Sequence, residues 1–297
     1  MVGPFATAWA TPWPTGSGKL TRMTLPPLTD AGHGAWRREP STVVRRGQSL
    51  PPNMHDSFVI FAESESPQAP LEWEPHSHPL HELVWARGGT LTTRVGDRIF
   101  TVSEGEGLWL PAGQIHSGRL TANVEFHSAF FSPHRIPLAF EAPTVITMVP
   151  LLESLLKHLA QTDLGSDARM RAESVVFDVL QPSGAQLHLQ LPGDGRIDPI
   201  AEILLKDPSD GRSLDEWAQL LGLSERTITR AFRHTTGLSF AQWRRVLRVH
   251  RALALLSDGW DVRTTSEMVG YAQPSSFIAA FRAVLGTTPG SLPAAPQ

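Results

Sequence analysis

The sequence contains no cysteine. That excludes disulfides, thiolate zinc sites and cysteine nucleophiles together, so any metal site must be assembled from histidine and carboxylate side chains. It also lacks any run of about 18 apolar residues, the length a membrane-spanning helix needs. Its N-terminus does not show the basic-then-apolar pattern of a secretion signal. Neither membrane insertion nor export is expected, and the chain is read as cytoplasmic. Nor is there a large excess of charge of one sign, since the formal net charge is only −3.

That small figure conceals an uneven distribution. Residues 1–195 hold 14 Lys and Arg against 19 Asp and Glu, and residues 196–297 hold 12 against 10, so the two parts carry −5 and +2. Within the basic part, Arg226, Arg230, Arg233, Arg244, Arg245, Arg248 and Arg251 follow one another with no acidic residue between the first and the last. A solvated helix face is the ordinary explanation of such a run. An electrostatic footprint for phosphates is the other.

The chain divides into four parts by pattern. Residues 1–55 are rich in Pro, Gly, Thr and scattered Trp without periodicity, which reads as a disordered arm within which Met23 is a possible true start. The Gly16-Ser17-Gly18-Lys19-Leu20 stretch lacks the first glycine of a phosphate loop and has Leu20 in place of Ser or Thr, so it is set aside. Residues 56–137 alternate apolar and polar positions between the turns Arg87-Gly88-Gly89, Gly96-Asp97 and Gly105-Glu106-Gly107. Turns at roughly eight-residue spacing predict an all-β barrel or sandwich. Residues 138–195 carry two apolar stripes at helical spacing, Leu151, Leu152, Leu155, Leu156, Leu159 and then Met170, Val175, Val176, Val179. The stripes predict two connecting helices, packed within the chain or against a second copy in a homodimer. A Pro- and Gly-rich linker over 181–195 follows them. Residues 196–297 read as all-α.

In that last part Ser213-Leu214-Asp215-Glu216 is a capping box that starts a helix with Leu214, Trp217, Ala218 and Leu221 on one face. Gly222 permits a tight turn and Ser224 caps the next helix, which buries Ile228 and Phe232 and turns Arg226, Thr229, Arg230 and Arg233 outward. This is a helix-turn-helix, whose second helix enters the major groove of double-stranded DNA. Arginine there can pair in bidentate fashion with guanine, and threonine can meet base edges or methyls. The pattern recurs, with a helix over 262–269, a turn at Gly270-Tyr271 and a second helix from Pro274 that buries Phe277 and Phe281. Between the units a helix from Ser239 to Leu256 would span about 27 Å at ~1.5 Å per residue. One chain could thus address successive major grooves, which lie ~34 Å apart.

Residues 196–292 resemble the DNA-binding domain of the AraC/XylS family of transcription regulators, in which two such units are joined by a long helix. The resemblance rests on Val269-Gly270-Tyr271, Ser275-Ser276-Phe277, Phe281-Arg282 and Gly286-Thr287-Thr288-Pro289 in order and spacing. Thr265 departs from the family's pattern, which has an apolar residue there. In the second reading helix, Ser275, Ile278 and Ala279 are poor hydrogen-bond readers of bases. The first unit is therefore expected to supply most base discrimination through Arg226, Thr229 and Arg230, with Arg233 beside them on the DNA-binding face. The second, with Ser275, Ile278 and Arg282, is expected mainly to position the protein on the backbone.

The β region carries His76, His78 and Glu82, followed after Gly105 and Pro111-Ala-Gly113 by His116. This resembles the two motifs of the cupin family, small β-barrels in which such residues bind a divalent metal. Alternation along a strand would point His76, His78 and Glu82 to one side, with His116 approaching from a neighbouring strand. Three imidazoles and a carboxylate suit Zn, Ni, Fe or Mn. The same histidines can instead wall a pocket for an organic effector, with His81, His127 and Trp85 as secondary lining. The expectation is thus a one-component regulator with an N-terminal cupin-like barrel and a C-terminal helix-turn-helix pair. It would respond to a small molecule or a divalent transition metal through the 145–180 helices. The competing class is a metal-dependent cupin enzyme. The arginine face on one short helix has no use in that reading.

Overall fold

Short alternating segments in the N-terminal half and 3.6-residue periodicity in the C-terminal half produce two kinds of layer. The structure, a computed structural model, describes residues 41–45, 60–136, 140–161, 163–184 and 186–291. The expected arm, with Met23 and the Gly16–Leu20 stretch, lies outside the described residues except at 41–45. The strands are β1 (Val43–Arg45), β2 (Ile60–Glu65), β3 (Leu71–His76), β4 (His81–Arg87), β5 (Leu91–Val95), β6 (Arg98–Val102), β7 (Glu106–Leu110), β8 (His116–Leu120), β9 (Glu125–Phe131), β10 (Thr144–Thr147) and β11 (His188–Gln190). The helices are α1 (Pro150–Leu159), α2 (Ser166–Val179), α3 (Asp198–Lys206), α4 (Leu214–Leu221), α5 (Glu225–Thr236), α6 (Phe240–Ser257), α7 (Val262–Met268) and α8 (Pro274–Leu285).

The strands form two sheets, ordered β1-β3-β8-β5-β6-β11 and β10-β7-β4-β9-β2. All pairings between named strands are antiparallel except that of β1 with β3. Between the sheets Leu71, Trp73, Val84, Ala86, Leu91, Phe100, Leu108, Leu120 and Phe126 form one core. The opposite face of the second sheet is apolar too, because β4 alternates Leu83 and Trp85 against Val84 and Ala86. Leu152, Leu156 and Leu159 of α1 and Ala172 and Val176 of α2 cover it. The two helices expected as connectors thus complete the barrel's outer layer. Leu151, Met170 and Val175 of the predicted stripes stay outside, 52%, 59% and 38% exposed.

The linker expected over 181–195 holds a strand. β11 pairs with β6, His188 opposite Phe100 and Gln190 opposite Arg98, and carries the first sheet onto the helical half. Ile99, Leu189 and Leu191 share a core with Ile200, Trp217, Phe232 and Trp243. The Trp243 indole N–H donates to the Gln190 carbonyl at 2.6 Å. His250 of α6 meets the Thr101 hydroxyl of β6 through Nδ1 at 2.8 Å, with both residues buried. A second helical core gathers Val249, Leu253, Val269, Phe277 and Phe281. Among the described residues no helix is long and apolar enough to cross a membrane.

Candidate functional site

In the barrel, strand parity places Glu82 on the same side of β4 as Val84 and Ala86, facing the core between the sheets, and only 2% of it is exposed. His116 shares its face of β8 with Leu120 and is likewise buried. The Nε2 atoms of His78 and His116 lie 3.0 Å and 3.5 Å from one Glu82 carboxylate oxygen. Ligand atoms of these three residues all fall within 4.8 Å of one another.

His76 stands at the edge of this group. Its ring centroid is 4.4 Å from that of His116 and 6.2 Å from that of His78, but the residue is half-buried and outside the set of three. The alternation expected to align His76, His78 and Glu82 is not the cause of their convergence. β3 ends at His76, His78 lies in the loop before β4, and Glu82 belongs to β4. A register shift between Trp73 and His76 turns His76 towards its partner His116. The loop of the second motif fixes His78, because Gly113, at φ +75°, donates its N–H to the His78 carbonyl at 2.8 Å.

The hydrogen bonds decide what the rings can do. The Nδ1 atoms of His76, His78 and His116 face the carbonyl oxygens of Glu74, Leu80 and Gln114 at 2.8, 2.8 and 2.9 Å. A carbonyl only accepts, so each Nδ1 carries hydrogen, and in a neutral ring the lone pair then resides on Nε2. Two such lone pairs directed at a carboxylate require a cation between or upon them. Protons can fill that role: burial lowers the affinity of His78 for a proton, but the hydrogen bond and charge of Glu82 outweigh it and raise its pKa. Burial works against ionisation of Glu82, yet hydrogen bonds from His116 and His78 hold its pKa at about 2. A divalent metal can fill the same role, and the donor set fits one, with imidazoles oriented by backbone carbonyls in the manner of metal ligands.

The secondary residues face elsewhere. Trp85 and His127 stack at 4.8 Å, and Trp85 belongs to the core beneath α1 and α2. His81 stacks on Trp109 at 5.1 Å and accepts the Ala112 N–H at 3.1 Å, which ties the two motifs together.

In the helical half both predicted units are present. Ser213 and Glu216 make the reciprocal capping box of α4, Gly222 ends it at φ 63°, and Ser224 accepts the Thr227 N–H to cap α5. Arg226, Arg230 and Arg233 are exposed along α5 with Thr229 half-buried beside them. The opposite face buries Ile228, Ala231 and Phe232. In α8, Ser275, Ile278 and Arg282 are exposed while Phe277 and Phe281 are buried.

The arginine run is not one surface. Arg244 donates to the Arg212 carbonyl at 2.6 Å and lies over the Phe240 ring. Arg248 is buried and donates to three backbone carbonyls. Spacing alone could not separate these supports from the outward arginines, since all sit on apolar-periodic helices.

Thr265 is fully buried in α7, and neither its hydroxyl nor that of Ser266 has a partner among the described residues. Thr265→Val, which keeps the shape and removes an unpaired hydroxyl, is expected to stabilise the chain by about 1 kcal/mol. That would raise the thermal midpoint by roughly 2–4 °C. An unchanged or lowered midpoint in thermal unfolding would count against it.

Comparison with known proteins adds two family matches. Residues 69–173 match an AraC-like ligand binding domain, and residues 217–294 match a helix-turn-helix domain. The chain is 32% identical over 238 residues to the HTH-type transcriptional regulator NimR of Escherichia coli K12, covering 79% of this chain and 85% of that protein. It is 30% identical over 218 residues to the HTH-type transcriptional regulator RipA of Corynebacterium glutamicum, covering 70% of this chain and 60% of that one. Among solved structures, wild-type ToxT of Vibrio cholerae is 10% identical with a TM-score of 0.32, over 79% of this chain and 94% of that one.

Proposed function

The chain belongs to the AraC family of transcription regulators, DNA-binding and ligand-responsive proteins rather than enzymes, and from that premise we propose that it is a regulator whose operator affinity depends on a divalent transition metal. The observation that carries this reading is the orientation of the imidazoles. With each Nδ1 occupied by a backbone carbonyl, the Nε2 atoms of His78 and His116 are left for Glu82 and a shared cation. His78, Glu82 and His116 would hold the metal, with His76 at the rim. Bound there, the metal would supply a fixed positive charge between β4, the loop before it and β8.

Regulation further requires the metal-bound and metal-free sensor to differ in the DNA-binding state they favour. The packing of β6 and β11 on the helical half supports a direct route for that bias.

For the DNA, Arg226, Thr229 and Arg230 of α5 are the base readers, with Arg233 exposed beside them on the same helix. Ser275, Ile278 and Arg282 of α8 chiefly position the protein. Genome-wide occupancy of the tagged protein would supply the operator, and titration with and without metal then tests the reading. Metal-independent affinity would remove the metal as effector. At that operator, Arg230→Ala should lose about 1–3 kcal/mol of discrimination at one base pair. Arg282→Ala should weaken all sites alike and reduce the salt dependence by about one ion. Fluorescence anisotropy against single-base variants at several salt concentrations reads both. Identical behaviour of the two substitutions would contradict the division of labour.

A further inference from the structure

The long helix α6 holds the two helix-turn-helix units by different stretches of its length. Phe240, Trp243 and Leu247 pack into the core of the first unit, and Val249, Leu253 and Leu255 into that of the second. Such contacts hold each unit on the helix. They set the two units along one continuous helix, and a direct contact between the units adds to the hold on their relative rotation.

At the junction of the two stretches lies Arg248, only 8% exposed. Its Nε donates to the Pro208 carbonyl at 2.8 Å and its Nη2 to the Asp210 carbonyl at 3.1 Å, both in the loop between α3 and α4. Its Nη1 donates to the Gly270 carbonyl at 3.1 Å, in the turn between α7 and α8. The same guanidinium lies 5.2 Å from the centre of the Tyr271 ring. One planar group thus bonds the loop before the first unit and the turn inside the second. Gly270 shows how closely they meet. At φ +82° it adopts a conformation that side chains rarely tolerate, and an added Cβ would stand 2.7 Å from Arg248 Nη2 and 2.8 Å from the Cα and carbonyl oxygen of Ser209.

We propose that Arg248 is a positioning residue for DNA recognition, setting the separation and rotation between α5 and α8 and hence the half-site spacing that one chain accepts. The inference rests on the reading that both units engage DNA, the second chiefly through the backbone but with a weaker base preference of its own from Ser275 and Ile278. A guanidinium donates in a fixed plane, and here each of its three nitrogens donates to a different carbonyl, three of its five N–H groups in all. A lysine ammonium keeps the charge but cannot hold the same angles. Without the fork each unit keeps its own apolar core, so the expected loss is of register between units rather than of either unit's fold.

The test uses the full chain and three kinds of duplex: the operator, the operator with one half-site scrambled, and operators with base pairs inserted between the half-sites. The wild type should prefer the intact operator and reject altered spacing. Arg248→Ala should bind the single half-site as the wild type does, lose roughly tenfold or more of the intact operator's advantage, and tolerate inserted base pairs. Should that variant fail to fold, as thermal unfolding would reveal, Arg248→Lys is judged by the same two ratios. A folded variant with the wild-type advantage and the wild-type spacing preference overturns the proposal. A wild type that gains nothing from the second half-site overturns the two-unit reading itself, a result obtained without any variant.

Discussion

Glu82→Gln is expected to weaken the binding of one divalent transition-metal ion per chain by about 100-fold or more. The side chain keeps its shape but loses the charge towards which the Nε2 atoms of His78 and His116 point. An amide is a far weaker ligand for a hard or borderline cation than a carboxylate. Loss of outer-shell partners alone costs roughly 10–100-fold in metal affinity, so removal of a ligand should cost about 100-fold or more. His78→Ala and His116→Ala should behave likewise. His76→Ala should cost much less, since it lies outside the group of three. Calorimetric titration of dialysed protein with Zn(II), Ni(II) and Mn(II), checked by elemental analysis, reads all four variants. A folded wild type that takes up no metal, or a Glu82→Gln protein that binds as tightly as the wild type, would end the metal reading.

His250→Gln should flatten the acid limb of the stability curve. His250 is buried between α6 and β6, its Nδ1 bonded to Thr101 and its Nε2 without a partner among the described residues. Burial pushes its pKa down to about 3, against 6.5 for a free imidazole. Between those values the unfolded chain binds the proton and the folded chain does not. The contribution of neutral His250 is therefore complete above pH 6.5 and is lost as the pH falls towards 3. Each pH unit is worth about 1.4 kcal/mol, so the loss accumulates to roughly 4 kcal/mol near the lower end. Glutamine stays neutral throughout and can still bond Thr101. Urea unfolding of both proteins at pH 7.5, 6, 5 and 4 isolates the effect, because His127, which burial lowers to about 4, is common to both and cancels. Parallel curves for the two proteins would refute the assignment.

Local chemistry was readable in the sequence and distant pairing was not. The capping box of Ser213 and Glu216, the turns at Gly222 and Gly270 and the span of α6 depend on neighbours within a turn or two. All appear where spacing puts them. The His78, Glu82 and His116 cluster was readable by motif, but its geometry was not. A register shift at His76 and a loop anchored by Gly113 bring together what alternation could not. β11 lay hidden among Pro182, Gly184, Pro192 and Gly193 because its partner β6 is some ninety residues away in the chain. Arg248 was hidden differently. In a run of like charges, nothing local marks the one whose guanidinium turns inward to three carbonyls.

The shared interior of the first sheet and the first reading unit bears on how these proteins are recombined. Ile99 and Leu189 belong to the same core as Trp217 and Phe232, so a cut at residue 195 divides one hydrophobic interior instead of separating two. A hybrid regulator that joins a foreign sensor to this DNA-binding half must therefore retain β11, and must match the surface of β6 at Ile99 and Thr101 as well. In this chain the seam between the two halves runs along the β6–β11 strand pair, and any exchange of halves would have to respect it.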